Sequence, residues 1–195
     1  MSVEPDMATI VFAVVNSGDE AGEVRRENEE RSARALDTVR ALGISESRIR
    51  MQSLRLRPVR EWDSETREYR ERGYEATREV RVELHDLGIL ADLVASVFDA
   101  GVNRLDQVRY DLRDRSQAAD DALRAAVEDA ERKAHTIASA LGVEVGRVHS
   151  ITEQRFSFPQ PMFRSADLES VSGDEAAYAA GEIEITASVN AVFEL

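Results

Sequence analysis

The sequence predicts an α+β protein with two layers, in which a mostly antiparallel sheet is braced by two long helices and one shorter helix. Two observations predict this class: short apolar runs with β-branched residues, and longer stretches whose apolar residues recur at steps of three or four. The predicted order of elements is βα-ββ-αβ-αβ-β, which is typical of α+β folds. The 195 residues suit one domain over 1–195, with an irregular excursion at about 156–181.

The first strand and the first long helix occupy the start of the chain. Residues 7–15 (MATIVFAVV) predict a strand buried on both faces in the middle of a sheet, and 16–19 are typical of a turn. A helix is predicted over 20–42, and Gly43 ends it. Asn28 falls on the inner side of this helix, where it either bonds to a loop or binds a ligand through its amide.

A β-hairpin is predicted next. Imperfect alternation predicts a strand over 48–60, and Pro58 marks the edge or the end of that strand. A second strand over 74–84 pairs antiparallel with the first. The polar residues 61–73 between them predict a hairpin loop, which contains Trp62, the only tryptophan.

Arginines concentrate on this hairpin and alternate with acidic residues. They stand at positions 48, 50, 55, 57, 60, 67, 70, 72, 78 and 81. The pattern favours cross-strand ion pairs on a solvated face. The alternative is a patch that binds an anion or a partner, with Arg55, Arg57 and Trp62 as candidate interaction residues.

A shorter helix and another strand follow. The helix begins near Asp86, a good N-cap residue, and Gly101 ends it. Its apolar stripe consists of Leu90, Leu93, Val94, Val97 and Phe98. Alternation over 104–112 predicts the next strand.

The second long helix is predicted over 114–142, with Asp114 as its cap and Gly142 as its left-handed end. Its apolar stripe is mostly alanine, which allows close packing across a sheet; the members are Ala119, Leu123, Ala126, Ala130, Ala134, Ile137 and Leu141. A strand is predicted over 143–155. The matching helix ends at 41–44 and 140–143 indicate either a duplication or a favoured turn used twice.

The excursion at 156–181 begins with FSFPQPMF and continues with small and acidic residues. Four of its residues are too apolar for a loop that is simply exposed to solvent: Phe156, Phe158, Met162 and Phe163. We expect them to cover their own domain or to dock on a neighbouring subunit. The final run, 182–195, alternates apolar and polar residues and predicts a half-buried strand.

The formal net charge is −13, and Lys133 is the only lysine among 25 basic residues. This charge opposes binding to nucleic acid and to anionic membranes. It favours adaptation to high salt, and the alternative is the acidic surface of a protein from a high-GC genome. There are no cysteines, so disulfides and thiol nucleophiles are excluded.

The sequence contains none of the local motifs that mark catalytic, cofactor or metal sites. We therefore predict no catalytic residue, cofactor or metal, although an enzyme with a dispersed site stays a minor alternative. No run of 18 apolar residues predicts a membrane span. No signal segment opens the sequence, so we expect a cytoplasmic protein, or an exported one if the chain is truncated.

Several short pieces suggest a family by their order and spacing. They are Pro5-Asp6, Asn28, ALGI at 41–44, Leu56 with Pro58, GYEA at 73–76, DLG at 86–88, AGVN at 100–103, AAVEDAERKA at 125–134 and ALGV at 140–143. In this arrangement the chain resembles the SIMPL-domain family, also called the domain of unknown function 541, from about Pro5 to Glu153 and in the last strand. The lack of a signal segment departs from exported relatives.

The resemblance implies an α+β domain that forms homo-oligomers, which in some relatives are ring-like or channel-like. It also implies links to the bacterial envelope, to immunogenicity and to stress responses, and one mammalian relative is a signalling adaptor. The family supplies no catalytic residue to carry over. We therefore predict a non-enzymatic structural or interaction domain that self-associates, with a further protein partner left open. The alternative is a protein that binds a small ligand or an anion through the arginine-rich hairpin at 48–81.

Overall fold

The computed structural model describes residues 1–64, 67–157 and 181–195. They form two compact units: a first unit, Asp6–Tyr110, and a second unit of Met1–Pro5 with 111–157 and 181–195. The α+β class is confirmed, because these residues contain helices and mostly antiparallel strands. The described strands divide among three sheets rather than one. A single domain over 1–195 stays a prediction.

The elements follow the predicted order, with additional short strands. They are β1 (Ser2–Val3), β2 (Met7–Gly18), α1 (Ala21–Ala41), β3 (Ile49–Met51), β4 (Arg55–Asp63), β5 (Glu68–Leu84), α2 (Leu90–Asp99), β6 (Arg104–Asp111), α3 (Arg115–Leu141), β7 (Val148–Ser157), β8 (Ile183–Glu184) and β9 (Thr186–Phe193). Short 3₁₀ helices at Glu46–Arg48 and Leu87–Ile89 precede β3 and α2. None of the helices in the described ranges is long and apolar enough to cross a membrane.

The core of the first unit lies between its sheet and helices α1 and α2. The strand order is β3-β5-β2-β6, with β4 pairing beside β3 on the same strand, β5. Alternate residues of β2 and β5 meet α1 and α2 in one apolar cluster, which includes Ala8, Ile10, Phe12, Val14, Val80, Val82, Leu84, Ala35, Val39, Leu93 and Val97. The prediction of a central, buried first strand is confirmed.

The first strand is longer than the sequence indicates. It continues through 16–18, where Asn16 pairs with Ala76 and Gly18 pairs with Tyr74. The prediction of a turn at 16–19 is therefore wrong. Residues 16–18 stay paired with β5, and the Asn16 side-chain amide donates to the Val24 carbonyl of helix α1, which holds this end of the strand against the helix.

Two predictions for the hairpin are also wrong. The strand predicted over 48–60 is two strands, β3 and β4, separated by residues 52–54. The loop predicted over 61–73 is mostly strand, since β4 runs to Asp63 and β5 begins at Glu68. Trp62 is therefore a strand residue. Diagonal ion pairs, Arg70–Asp63 and Arg72–Glu61, link these polar segments across the ladder, although Asp63 lies directly opposite Glu68.

Both helices of the first unit end as predicted, but one side chain does not lie where the sequence places it. Gly43 and Gly101 follow α1 and α2 with φ of 80° and 115°, conformations that favour glycine. Helix α2 buries Leu90, Leu93, Val94 and Val97. Phe98 is 40% exposed, contrary to the prediction, because it lies in the last turn at the margin of the apolar face.

In the second unit, α3 packs against β9, and β7 pairs with β9. The predicted caps of α3 are confirmed: the Asp114 carboxylate accepts from the amides of Ser116 and Gln117, both at 3.0 Å, and Gly142 has φ of 74°. The predicted stripe is only partly buried: five of its members are half-buried, and the fully buried positions are the neighbouring Ala118, Ala122 and Ala138. Ile137 and Leu141 are exposed. The buried alanines at the start of α3 share an apolar cluster with Val3, Ile183 and Ile185.

The last predicted strand is confirmed as a half-buried element, although it is interrupted. Ile183 and Ile185 are buried and Glu182 and Glu184 are exposed, and the alternation continues through β9. The strand predicted from Val143 starts later, at Val148.

Candidate functional site

The β4–β5 hairpin carries three of the predicted interaction residues, Trp62, Arg55 and Arg57. Residues 68–73 of β5 pair with β4, and β2 joins the ladder only from Tyr74 onward. Within the described ranges this end of the hairpin is therefore a two-stranded ribbon. Its side chains have few neighbours, so β4 is exposed along nearly its whole length.

A β-bulge at Gly73 decides which side chains share a face of the hairpin. Pro58 lies opposite Tyr74, but Arg60 lies opposite Glu71, so β5 contains one more residue than β4 between these pairs. Gly73 has φ of 119°, and a Cβ there would lie 2.4 Å from the Gly18 carbonyl oxygen. Only glycine fits this position, because both the backbone conformation and the space exclude a side chain.

Because β4 alternates without interruption, its odd and even residues lie on opposite faces. Arg55, Arg57, Val59, Glu61 and Asp63 lie on one face, which we call the ion-pair face. Leu56, Pro58, Arg60 and Trp62 lie on the other, which we call the aromatic face together with Tyr69, Glu71 and Tyr74, the residues of β5 opposite them. The structure thus brings Arg55 and Arg57 together and places Trp62 on the opposite side.

The ion-pair face holds three cross-strand salt bridges. Their distances are 2.7 Å for Arg57–Glu75, 3.0 Å for Arg70–Asp63 and 2.8 Å for Arg72–Glu61. The prediction of cross-strand ion pairs is confirmed for these residues. Each exposed pair contributes only about 0.2–1 kcal/mol. Their main effect is to occupy arginines that would otherwise be available to an anion.

Arg55 differs from Arg57 in its side-chain contacts. The Arg57 guanidinium bonds Glu75, whereas the Arg55 guanidinium has no hydrogen bond or ion pair with any residue in the described part of the chain. Anion binding through 48–81 stays a prediction, and no contact among the described residues favours it over the ion pairs.

The aromatic face exposes the only tryptophan of the chain. The rings of Trp62 and Tyr69 lie directly opposite each other, with centroids 5.1 Å apart in an edge-to-face arrangement, an orientation that aromatic pairs prefer. Trp62 is 52% exposed and Tyr69 is 69% exposed. Leu56 adds further exposed apolar surface to the same face.

The aromatic face also contains a perturbed phenol. A hydrogen bond to the Glu71 carboxylate raises the pKa of Tyr74, and the negative charges of Glu71 and Glu20 act in the same direction. The contact confirms the geometry of the bulge, because Glu71 and Tyr74 share a face only if β5 changes its alternation at Gly73.

A buried polar network beneath the sheet explains Asn28. Its amide donates to the Val14 carbonyl at 2.9 Å and to the Asn16 side-chain oxygen at 2.8 Å. Ser32 donates to Asn28 at 3.3 Å, and Asn16 donates to the Val24 carbonyl at 2.9 Å. Asn28 therefore joins the helix to strand β2 rather than to a loop, and both of its N–H donors are already used.

The sequence reasoning missed Asn16 and Ser32 as members of this network. The only available signal was the spacing of Ser32, four residues after Asn28 on the same helical face.

A separate cavity of about 560 Å³ lies at the end of α3 in the second unit. Its lining consists of His135, Ala138, Ser139, Gly142, Val143, Glu144 and Val145. The described ranges contain no group of three or more side chains suited to hold a metal ion. The remaining predicted interaction residues cannot be assigned to a surface: Phe156 lies in β7, and Phe158, Met162 and Phe163 lie outside the described residues.

The fold and the hairpin define an α+β protein that exposes, among its described residues, an aromatic surface on a strand pair. Comparison with known proteins then places it in a family. The family model for SIMPL, described as "Protein of unknown function (DUF541)", matches residues 1–193, so the chain belongs to the SIMPL family.

Two relatives show how far the similarity extends. The chain is 27% identical over 202 residues to the 26 kDa periplasmic immunogenic protein of Brucella melitensis, which covers 100% of this chain and 81% of that protein. It is 28% identical over 194 residues to the uncharacterized protein YggE of Escherichia coli, which covers 98% of this chain and 78% of that protein. The resemblance to the SIMPL family is thus confirmed.

Proposed function

We propose that this chain is a non-enzymatic interaction domain that self-associates through the β4–β5 hairpin. The observation that supports the proposal is the exposed pair of Trp62 and Tyr69 on the aromatic face. Aromatic side chains contribute most when they are buried, and they are enriched at the centres of protein interfaces. A partner that covers this face would remove both rings from water.

The charge of the hairpin supports a second copy as that partner. Residues 55–63 and 68–77 contain five arginines and five acidic residues, so the hairpin is neutral, whereas the whole chain has a net charge of −13. Two copies repel each other over most of their surfaces. A neutral hairpin adds no net repulsion of its own where two copies meet.

The cellular setting that we propose is the bacterial envelope. The support is the relative from Brucella melitensis, whose name describes it as periplasmic and immunogenic. Fractionation of the source cells tests this part independently of self-association. Recovery of the chain with the envelope fraction agrees with the proposal, and recovery only with cytoplasmic markers contradicts it.

The test of self-association compares two double variants, each of which removes two exposed, largely apolar side chains. Trp62→Ala with Tyr69→Ala removes the exposed rings of the hairpin, and Ile137→Ala with Leu141→Ala removes exposed apolar side chains of α3. Light scattering after size exclusion gives the molar mass, and circular dichroism checks the fold. We expect the hairpin variant to lose mass and the α3 variant to keep it. The reverse result would overturn the assignment of the interface to the hairpin.

A further inference from the structure

We propose that β4 pairs antiparallel with β4 of a second copy about a two-fold axis at Val59, so that the first unit's sheet continues into the partner's sheet. This inference rests on the proposed self-association and adds the strand, the register and the symmetry. It follows from three features of β4. One edge of the strand has no strand partner among the described residues. In an antiparallel pair of two copies, arginines of one strand face acids of the other, and apolar residues face apolar residues.

The edge of β4 is available within the described ranges. β4 pairs only with β5 there, so the backbone groups along its other side have no strand partner. Such an edge is a template for another strand. A single proline, Pro58, interrupts the row of backbone donors.

The charges on the ion-pair face of β4 change sign at its middle. Arg55 and Arg57 precede Val59, and Glu61 and Asp63 follow it. An antiparallel copy centred on Val59 places Arg55 opposite the partner's Asp63 and Arg57 opposite the partner's Glu61. Opposite charges in directly facing positions stabilise a strand pair, and like charges destabilise it.

The ion pairs within each hairpin are compatible with this arrangement. Glu61 already bonds Arg72, and Asp63 already bonds Arg70. A carboxylate has two oxygens and about four acceptor positions, so it can bond a second guanidinium. The Arg55 guanidinium has no partner among the described residues and gains one.

The aromatic face matches in the same register. Leu56 comes to lie opposite the partner's Trp62, and Trp62 opposite the partner's Leu56. Each tryptophan would then pack against Tyr69 of its own chain and against a leucine of the other. Pairs of an aromatic and an aliphatic side chain on facing strands favour pairing.

Other registers are poorer. A slip of two residues in one direction places Arg60 opposite the partner's Arg60, and a slip in the other direction places Pro58 opposite the partner's Pro58. Parallel pairing without a shift places arginine opposite arginine at 55 and at 57. The register centred on Val59 loses at most one backbone hydrogen bond per copy at Pro58, because proline has no N–H.

The sequence contains no cysteine, which permits a clean test by disulfide trapping. Residues that face each other across an antiparallel pair have Cα atoms roughly 4.5–5.5 Å apart, within the range that a disulfide spans. We expect Val59→Cys in the full chain to form a covalent dimer with itself under mild oxidation. We expect Arg55→Cys mixed with Asp63→Cys to form a mixed dimer, whereas each of these alone forms little. Ile137→Cys, an exposed site on α3, is the control.

The outcomes separate this inference from the proposed function. The same variants are measured by light scattering under reducing conditions. Association without trapping at Val59, or trapping of Arg55→Cys with itself in preference to Asp63→Cys, overturns the register and leaves self-association standing. A reduced chain that stays monomeric at every concentration overturns both.

Discussion

At the residue scale, the amide of Asn28 joins α1 to the sheet. Asn28 is completely buried, and its two donors satisfy a carbonyl of β2 and the side chain of Asn16. We expect Asn28→Ala to lower the free energy of unfolding by about 1–3 kcal/mol, since it leaves buried acceptors unpaired. Urea denaturation measures the change. The control is Glu30→Ala on the exposed side of the same helix, which we expect to change stability by less than about 0.5 kcal/mol. Equal effects would contradict the structural role of the amide.

Gly73 is the residue on which the two faces of the hairpin depend. Its positive φ and its approach to the Gly18 carbonyl leave no room for a Cβ. We expect Gly73→Ala to cost about 1–3 kcal/mol, as backbone strain of this kind does. Gly22→Ala is the matched control, because Gly22 lies in α1 and a Cβ added there would meet nothing within 4 Å; it should stabilise the protein by roughly 0.5–1 kcal/mol. Urea denaturation compares the two, and a tolerated Gly73→Ala would show that the bulge is absent.

The phenol of Tyr74 gives a prediction about pH. Its pKa is raised by the hydrogen bond to Glu71, so its contribution to stability is present below the pKa of the unfolded chain and is lost as pH rises through the folded-state pKa. We expect Glu71→Ala to lower the pKa of Tyr74 toward the ordinary tyrosine value. Titration of the Tyr74 ring signals by NMR measures it. Glu68→Ala, which changes the opposite face of β5, is the control, and an unchanged titration in Glu71→Ala would contradict the contact.

At the element scale, the two long helices begin in different ways. The Asp114 side chain caps α3 with two hydrogen bonds, whereas Glu20 at the corresponding position of α1 makes no side-chain cap bond. We expect Asp114→Ala to reduce the free energy of unfolding by about 1 kcal/mol, and Glu20→Ala to have a much smaller effect. Thermal or urea unfolding checks both variants. A larger loss in Glu20→Ala would mean that the cap geometry does not determine helix stability here.

The elements show how far local sequence patterns reach. The helix ends were predictable, because Gly43, Gly142 and the cap Asp114 act through the backbone near them. The strands at 61–63 and 68–73 were not, because their polar residues show no apolar alternation and their diagonal ion pairs form only between strands that are already paired. The faces of the candidate site depended on the bulge at Gly73. Periodicity alone suggested neither the bulge nor the separation of Trp62 from Arg55.

At the scale of the whole molecule, the charge and the neutral hairpin act together. A net charge of −13 opposes contact between copies, and the hairpin, with five arginines and five acidic residues, adds no net charge to this repulsion. Adaptation to high salt stays a prediction, and a stability curve against KCl tests it: loss of the fold below molar salt supports adaptation. Screening by salt also weakens repulsion between copies, so association has to be compared at low and at high KCl.

The most direct test of the central claim is the molar mass of the unmodified chain in solution. The monomer has a mass of 21.7 kDa. We expect light scattering to give a defined multiple of this mass that falls toward the monomer on dilution, as mass action requires. A mass of one monomer across the accessible concentrations, at low and at high KCl, would contradict self-association through the hairpin.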